Sequence, residues 1–301
     1  MFHKSIGFTF ILPLILSSFS LYKPISPSRD YVSSDNSAIK NFGIILPGYS
    51  VPSEDYLSLS NTIKQTANLK NIYTDIIIAN VTSPTKQSYE QAIDSILDYI
   101  DNTTNYDDEI NIFMIAHSAA KSFAIEKSIK NSSMFIILGS VLDSKNILSR
   151  KYGTGSDANN TDDNSTSFIY SGPISLSSYP KPILTLLGQS DGIVDYNYAK
   201  YEFHDIQHII DHNGYDYVAK YKPIVIIPGL NHMLMADGKL TDIAIQIGMK
   251  DNDTDMQLYQ AHQQIADVII HFLKANLFND AYSNHELKKM VIQSHHLFVC
   301  K

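Results

Sequence analysis

Cysteine occurs once in the 301 residues, at Cys300, one place before the end. That excludes an internal disulfide, so the fold must rest on its apolar core. The chain is long enough to build one: 44% of its residues are hydrophobic, and a single α/β domain commonly takes about 200–250 residues. Basic side chains are also short in number. There are 23 against 31 acidic ones, for a net charge of −8, and they form no cluster. Phosphate binding needs concentrated Lys and Arg, so nucleic acid is excluded as an expected partner. The apolar run from Ile6 to Phe19 falls short of the roughly 20 residues that span a bilayer.

That run has another reading. Lys4 precedes it, and Ser18-Phe19-Ser20 supplies small residues at the −3 and −1 places of a cleavage site. The sequence therefore predicts a signal peptide over residues 1–20. It leaves 21–301 as a single domain without a transmembrane span, secreted or lumenal in the endomembrane or lysosomal system. Asn80, Asn102, Asn131, Asn159, Asn164 and Asn252 each head an N-x-S/T triplet. Composition alone gives about three such triplets, so the excess agrees with export and glycosylation. Cys300 reads as a tail thiol, and nothing in the sequence sets an oligomeric state.

Short apolar runs alternate with amphipathic stretches, the pattern of βαβ units around a mostly parallel sheet flanked by helices on both faces. Strands are predicted at Asn41–Leu46, Ile72–Ala79, Asn111–Ala116, Met134–Leu138, Ile183–Leu187 and Pro223–Ile227. Helices are predicted at Ser53–Asn68 with Ser53 as N-cap, at 86–101, at Ala119–Lys130, at about Tyr198–Asp211 and at Asp255–Ala275. A short helix should follow near the C-terminus. The Gly-, Asn-, Asp- and Ser-rich stretch within residues 141–178 reads as an exposed, lid-like excursion.

Three strand ends carry polar residues that the fold itself does not need, and such ends are where open α/β sheets gather their ligands. Ile112-Phe113-Met114-Ile115 runs into Ala116-His117-Ser118-Ala119-Ala120 and then a helix. A sharp strand-to-helix turn exposes the central serine, and the residues two before and two after must be small because two backbones pass close there. Glycine is usual at both places; here both are alanine. Gly188-Gln189-Ser190-Asp191 follows a second strand, and Gly229-Leu230-Asn231-His232 a third. A serine hydroxyl needs a base to take its proton, histidine titrates near neutrality, and a carboxylate fixes the tautomer of that histidine. Ser118, Asp191 and His232 are thus the candidate nucleophile, acid and base. Asp195 follows the same strand as Asp191 and is the rival acid. The Gly43–Tyr49 segment brings the N–H of Tyr49 to an early strand end. With the N–H of Ala119, it can hold a developing oxyanion.

From about Asn41 to Ala275 the chain resembles the α/β-hydrolase superfamily, and is similar to its esterase, lipase and chlorophyllase-like branches. The resemblance rests on Ala116–Ala120, Gly188–Asp191 and Gly229–His232. It implies an α/β-hydrolase fold and a serine hydrolase acting on a small-molecule ester or lipid, with no cofactor and no metal. A hydrolase-fold binding protein with little turnover remains an alternative, as does an acyltransferase or peptidase with the same three residues. Asp251-Asn252-Asp253-Thr254-Asp255 mimics the start of a calcium loop. It lacks Gly at position six and Glu at position twelve, and reads instead as an acidic helix N-terminus. His204, His208 and His212 share one helix face and read as solvated rather than as a zinc site. His295 and His296 read as surface residues.

Overall fold

β-Branched and aromatic side chains suit a pleated surface, and a parallel sheet covered by helices accepts continuous apolar runs. The computed structural model describes residues 39–105, 109–142, 175–246 and 248–299. The apolar runs form β1 (Lys40–Leu46), β2 (Thr74–Ile78), β3 (Ile110–His117), β4 (Met134–Leu138), β5 (Ile183–Gly188) and β6 (Ile224–Ile227). All pair in parallel, in the order β2-β1-β3-β4-β5-β6. Alternate residues enter two separate cores: Ile44, Met114 and Phe135 face one, while Ile45, Ile115 and Ile136 face the other.

Between and after the strands come α1 (Leu57–Leu69), α2 (Lys86–Thr103), α3 (Ala120–Asn131) and α4 (Lys200–Tyr221). Short α5 (Asp242–Gln246), then α6 (Leu258–Leu277) and α7 (Ala281–Val299), complete the described residues. Tyr89 and Ile93 of α2, Phe123 of α3 and Ile206 of α4 cover the first core; Leu59 and Ile63 of α1 with Ile265 and Ile269 of α6 cover the second. Helices on both faces are thus what the structure has, as the βαβ pattern predicts.

The topology also fixes where a site can form. From β1 the chain moves outward to β2, and from β3 it moves the other way to β4, so the connections diverge between β1 and β3. Leu46 pairs with Ala116, so Pro47-Gly48-Tyr49 and His117-Ser118 leave the sheet side by side. A crevice at such a switch point is the default ligand position in open parallel sheets.

Five sequence-based expectations need correction. Ser53 does not cap a helix: its hydroxyl donates to the Ala79 carbonyl at 2.8 Å, and Ser53–Tyr56 forms a 3-10 turn ahead of α1. The helix expected to end at Asp211 continues to Tyr221 through a break at Gly214, where φ is 79°. Asp255 does not open the long helix. Gln257 and Gln260 form a reciprocal capping box that starts α6 at Leu258, so the acidic run lies ahead of it. The short C-terminal helix is α7, 19 residues long, because it has an edge to cover. The Ile226 N–H of edge strand β6 donates to Ser294 Oγ at 2.8 Å, and Leu287 and Val291 are buried beneath it. His295, expected at the surface, is half-buried and pairs with the Tyr215 hydroxyl at 2.9 Å. Most of the lid-like excursion and Cys300 lie outside the described residues.

A strand edge left with an unpaired N–H inside protein loses a hydrogen bond and cannot regain it from water. Ser294→Ala is expected to cost about 1–2 kcal/mol in urea unfolding. A change below about 0.3 kcal/mol would mean the edge is satisfied without Ser294.

Candidate active site

Ser118 sits where β3 turns into α3, with φ at +55°. A side chain in this left-handed region is strained, and here the strain is held by packing on both sides. Its N–H donates to Leu138 O at 2.8 Å, extending the β3–β4 ladder by one rung. Ala116 and Ala120, the alanines two before and two after it, are fully buried. The serine itself is 9% exposed, which leaves its hydroxyl a narrow opening.

Asp191 and His232 meet from the ends of β5 and β6. His232 Nδ1 and Asp191 Oδ2 are 2.8 Å apart, with the two side chains 3% and 0% exposed. A carboxylate buried that far from water needs donors on its remaining oxygen. Asp191 Oδ1 has them, accepting the N–H of Ile193 at 2.9 Å and of Val194 at 2.6 Å. The rival Asp195 turns elsewhere: its Oδ1 accepts from the backbone and side-chain nitrogens of Asn197 at 2.8 and 2.7 Å.

Ser118, His232 and Tyr49 line one cavity of about 30 Å³. Val51, Ile193, Met233, Leu240 and Met249 supply its apolar wall. Tyr49 is therefore at the site, and Ala119 is the N-cap of α3, where backbone amides lack helical acceptors. Beside them, His117 is buried with its ring centroid 4.6 Å from that of His232. Burial, and then the neighbouring His232, hold His117 well below the usual histidine range. It stays neutral and does not oppose a proton on His232.

Sequence reasoning missed Asp251, read there only as part of an acidic helix start. Its Oδ1 accepts the N–H of Gly192 at 2.9 Å and of His232 at 3.2 Å, and its Oδ2 accepts that of Met233 at 2.8 Å. One carboxylate thus ties the loop after Asp191 to the loop bearing His232. The approach is close: a Cβ on Gly192 would lie 2.5 Å from Asn252 N. The signal for Asp251 was present as an acidic residue in a loop, but its partners are backbone amides, which a sequence does not display.

The remaining candidates lie elsewhere. Asn80, Asn102 and Asn252 are exposed and Asn131 is half-buried, while Asn159 and Asn164 fall outside the described residues. His208 and His212 stack on α4 at 4.3 Å, and His212 Nδ1 contacts His208 O at 2.7 Å. Among the described residues no three His, Cys, Asp or Glu side chains are grouped to hold a metal ion, and no helix is long and apolar enough to cross a membrane.

Asp251→Ala removes three inter-loop acceptor contacts and is expected to cost about 2–3 kcal/mol in urea unfolding. Asp195→Asn, by contrast, should change stability by less than about 0.5 kcal/mol. Equal losses would show that the inter-loop contacts of Asp251 add nothing.

No protein-family model and no curated protein matches the sequence. Solved structures do. Est1E from Butyrivibrio proteoclasticus is similar at 15% identity and a TM-score of 0.47, over 80% of this chain and 91% of that one. The monoacylglycerol lipase of Paleococcus ferrophilus is similar at 12% identity and a TM-score of 0.42, over 78% and 97%. The esterase domain of a Rhodothermus marinus protein is similar at 8% identity and a TM-score of 0.43, over 80% and 89%. The all-parallel strand order, the left-handed serine after β3, and an acid and a histidine after β5 and β6 give this chain the α/β-hydrolase fold.

Proposed function

We propose that the chain is a serine hydrolase that cleaves carboxylic esters through an acyl-enzyme at Ser118. The observation that carries this reading is the buried 2.8 Å Asp191–His232 contact opening onto the same cavity as a serine held at φ +55°. With Nδ1 donating to Asp191, Nε2 of His232 is the basic nitrogen. Ser118 Oγ attacks the ester carbonyl carbon while Nε2 takes the hydroxyl proton. The carbonyl π electrons move onto oxygen, where the Tyr49 and Ala119 amides receive the charge. Collapse of that intermediate breaks the C–O bond to the alcohol, which leaves with the proton from Nε2. Water then repeats the sequence on the acyl-enzyme, giving up a proton to Nε2, releasing the acid and returning the proton to Ser118. The apolar side chains beside Ser118 support an uncharged acyl or alkyl group, of a small ester or lipid, next to the reacting carbonyl.

Because the hydroxyl attacks only as the imidazole removes its proton, Ser118 and His232 act as one unit. Ser118→Ala, His232→Ala and the double variant should each lose kcat on a p-nitrophenyl ester by nearly the same factor, on the order of 10⁶. Asp191→Asn should lose about 10⁴. Circular dichroism checks that each variant is folded. Activity retained by folded Ser118→Ala would remove the nucleophile and with it the reading.

We also propose export, with cleavage near Ser20 and glycosylation at several of the six triplets. The signal-like N-terminus and the exposure of Asn80, Asn102 and Asn252 support this. Intact mass and glycosidase shift of protein from its native host should show both. An unglycosylated product still beginning at Met1 or Phe2 would count against it.

A further inference from the structure

The loop that carries Tyr49 is held by two tyrosines that nothing in the proposed reaction uses. Tyr89 Oη donates to the Pro47 carbonyl at 2.6 Å, and the Gly48 N–H donates to Tyr56 Oη at 2.9 Å. That carbonyl and that N–H belong to one peptide group. Its plane is therefore fixed from both sides by phenols that are 1% and 0% exposed. Tyr56 Oη also lies 2.6 Å from His117 Nδ1, and His117 adjoins Ser118 in the chain. The Tyr56 oxygen thus meets the Gly48 N–H on one side and His117 Nδ1 on the other. Burial holds both phenols above the usual tyrosine range, so the protons that make these contacts stay in place. Only glycine fits at position 48, because a Cβ there would lie 2.9 Å from His117 Nδ1.

We propose that Tyr56 and Tyr89 are positioning residues that clamp the Pro47–Gly48 peptide and thereby aim the Tyr49 amide at the oxyanion formed on Ser118. This role rests on the proposed serine-hydrolase reaction. A rotation of the 47–48 peptide changes the direction of the next amide along the chain, and that rotation would break two buried hydrogen bonds at once. His117 completes the clamp by joining the Tyr49 loop to the Ser118 turn, so the proposed donor and the nucleophile are set against one common frame. An oxyanion donor works only when it is already aimed at the charge that develops, since reorienting it during the reaction adds to the barrier.

The test uses the full-length protein, with Ser118 first shown to be the residue labelled by a fluorophosphonate. Tyr56→Phe and Tyr89→Phe keep the rings and delete the hydroxyls. Each is expected to lower kcat by about 10–100-fold with KM within about threefold. The inhibition constant of a boronic acid, whose tetrahedral adduct places an oxygen where the oxyanion forms, should rise in step. Tyr179→Phe is the control: its hydroxyl pairs with Ser128 Oγ at 2.8 Å, ahead of β5 and away from the proposed oxyanion site. It should lower Tm comparably and leave kcat unchanged. Should Tyr56→Phe fail to fold, Tyr89→Phe carries the same expectation. Wild-type kcat in a folded Tyr89→Phe or Tyr56→Phe overturns the clamp while leaving the hydrolase reading intact. Failure of Ser118 to react in the wild type overturns both.

Discussion

Because all six strands run parallel, every strand leaves the sheet toward its following helix at the same edge. That geometric constraint organises the rest of the molecule. Sequence-distant segments ending at Leu46, His117, Gly188 and Ile227 are delivered to one rim, and the divergence between β1 and β3 opens a crevice there. An antiparallel arrangement of the same apolar runs would send successive ends to opposite edges, and Ser118 would not share a cavity with His232.

Bringing charge to that rim creates an electrostatic difficulty that the chain resolves with backbone donors. Removing a carboxylate from water costs several kcal/mol unless donors replace the water. Asp191 recovers two amides of its own loop and the His232 ring. Asp251 recovers amides from two other loops. No lysine or arginine is among these contacts. The imidazole therefore meets a carboxylate whose charge is balanced by fixed dipoles, rather than by a mobile cation that would compete for it.

Much of this was legible in the sequence. Alternation of apolar runs located all six strands within two residues, because strand burial leaves an unbroken apolar record. Ser118, Asp191 and His232 were legible for a related reason: each is a polar residue just beyond the carboxyl end of a parallel strand. The choice of Asp191 over Asp195 had only loop position to go on, whereas their contacts separate them at once. What the sequence hid was whatever depended on backbone amides or distant packing. Ser53 looked like a cap but serves Ala79, and Gln257 caps α6 instead. The length of α7 follows from the exposed edge of β6, an edge that exists only after the sheet is assembled. Tyr56 and Tyr89 fall inside stretches predicted as helices, and nothing in their spacing announces hydroxyls placed at one peptide.

The two sides of the crevice are held by different chemistry, and the difference suits the charge each must meet. On the histidine side a proton would arrive, and the holding groups are carboxylates. On the Tyr49 side a negative charge would develop, and the holding groups there are neutral: two phenols and a histidine kept uncharged by burial. A carboxylate in place of Tyr56 would accept from Gly48 equally well but would set a fixed negative charge beside the proposed oxyanion. A cationic His117 would oppose the imidazolium of His232, with ring centroids only 4.6 Å apart. Neutral hydroxyls orient the loop without either penalty. Within the described residues, they are a way to fix an amide in a buried site while leaving the field at the serine to Asp191, Asp251 and the amides themselves.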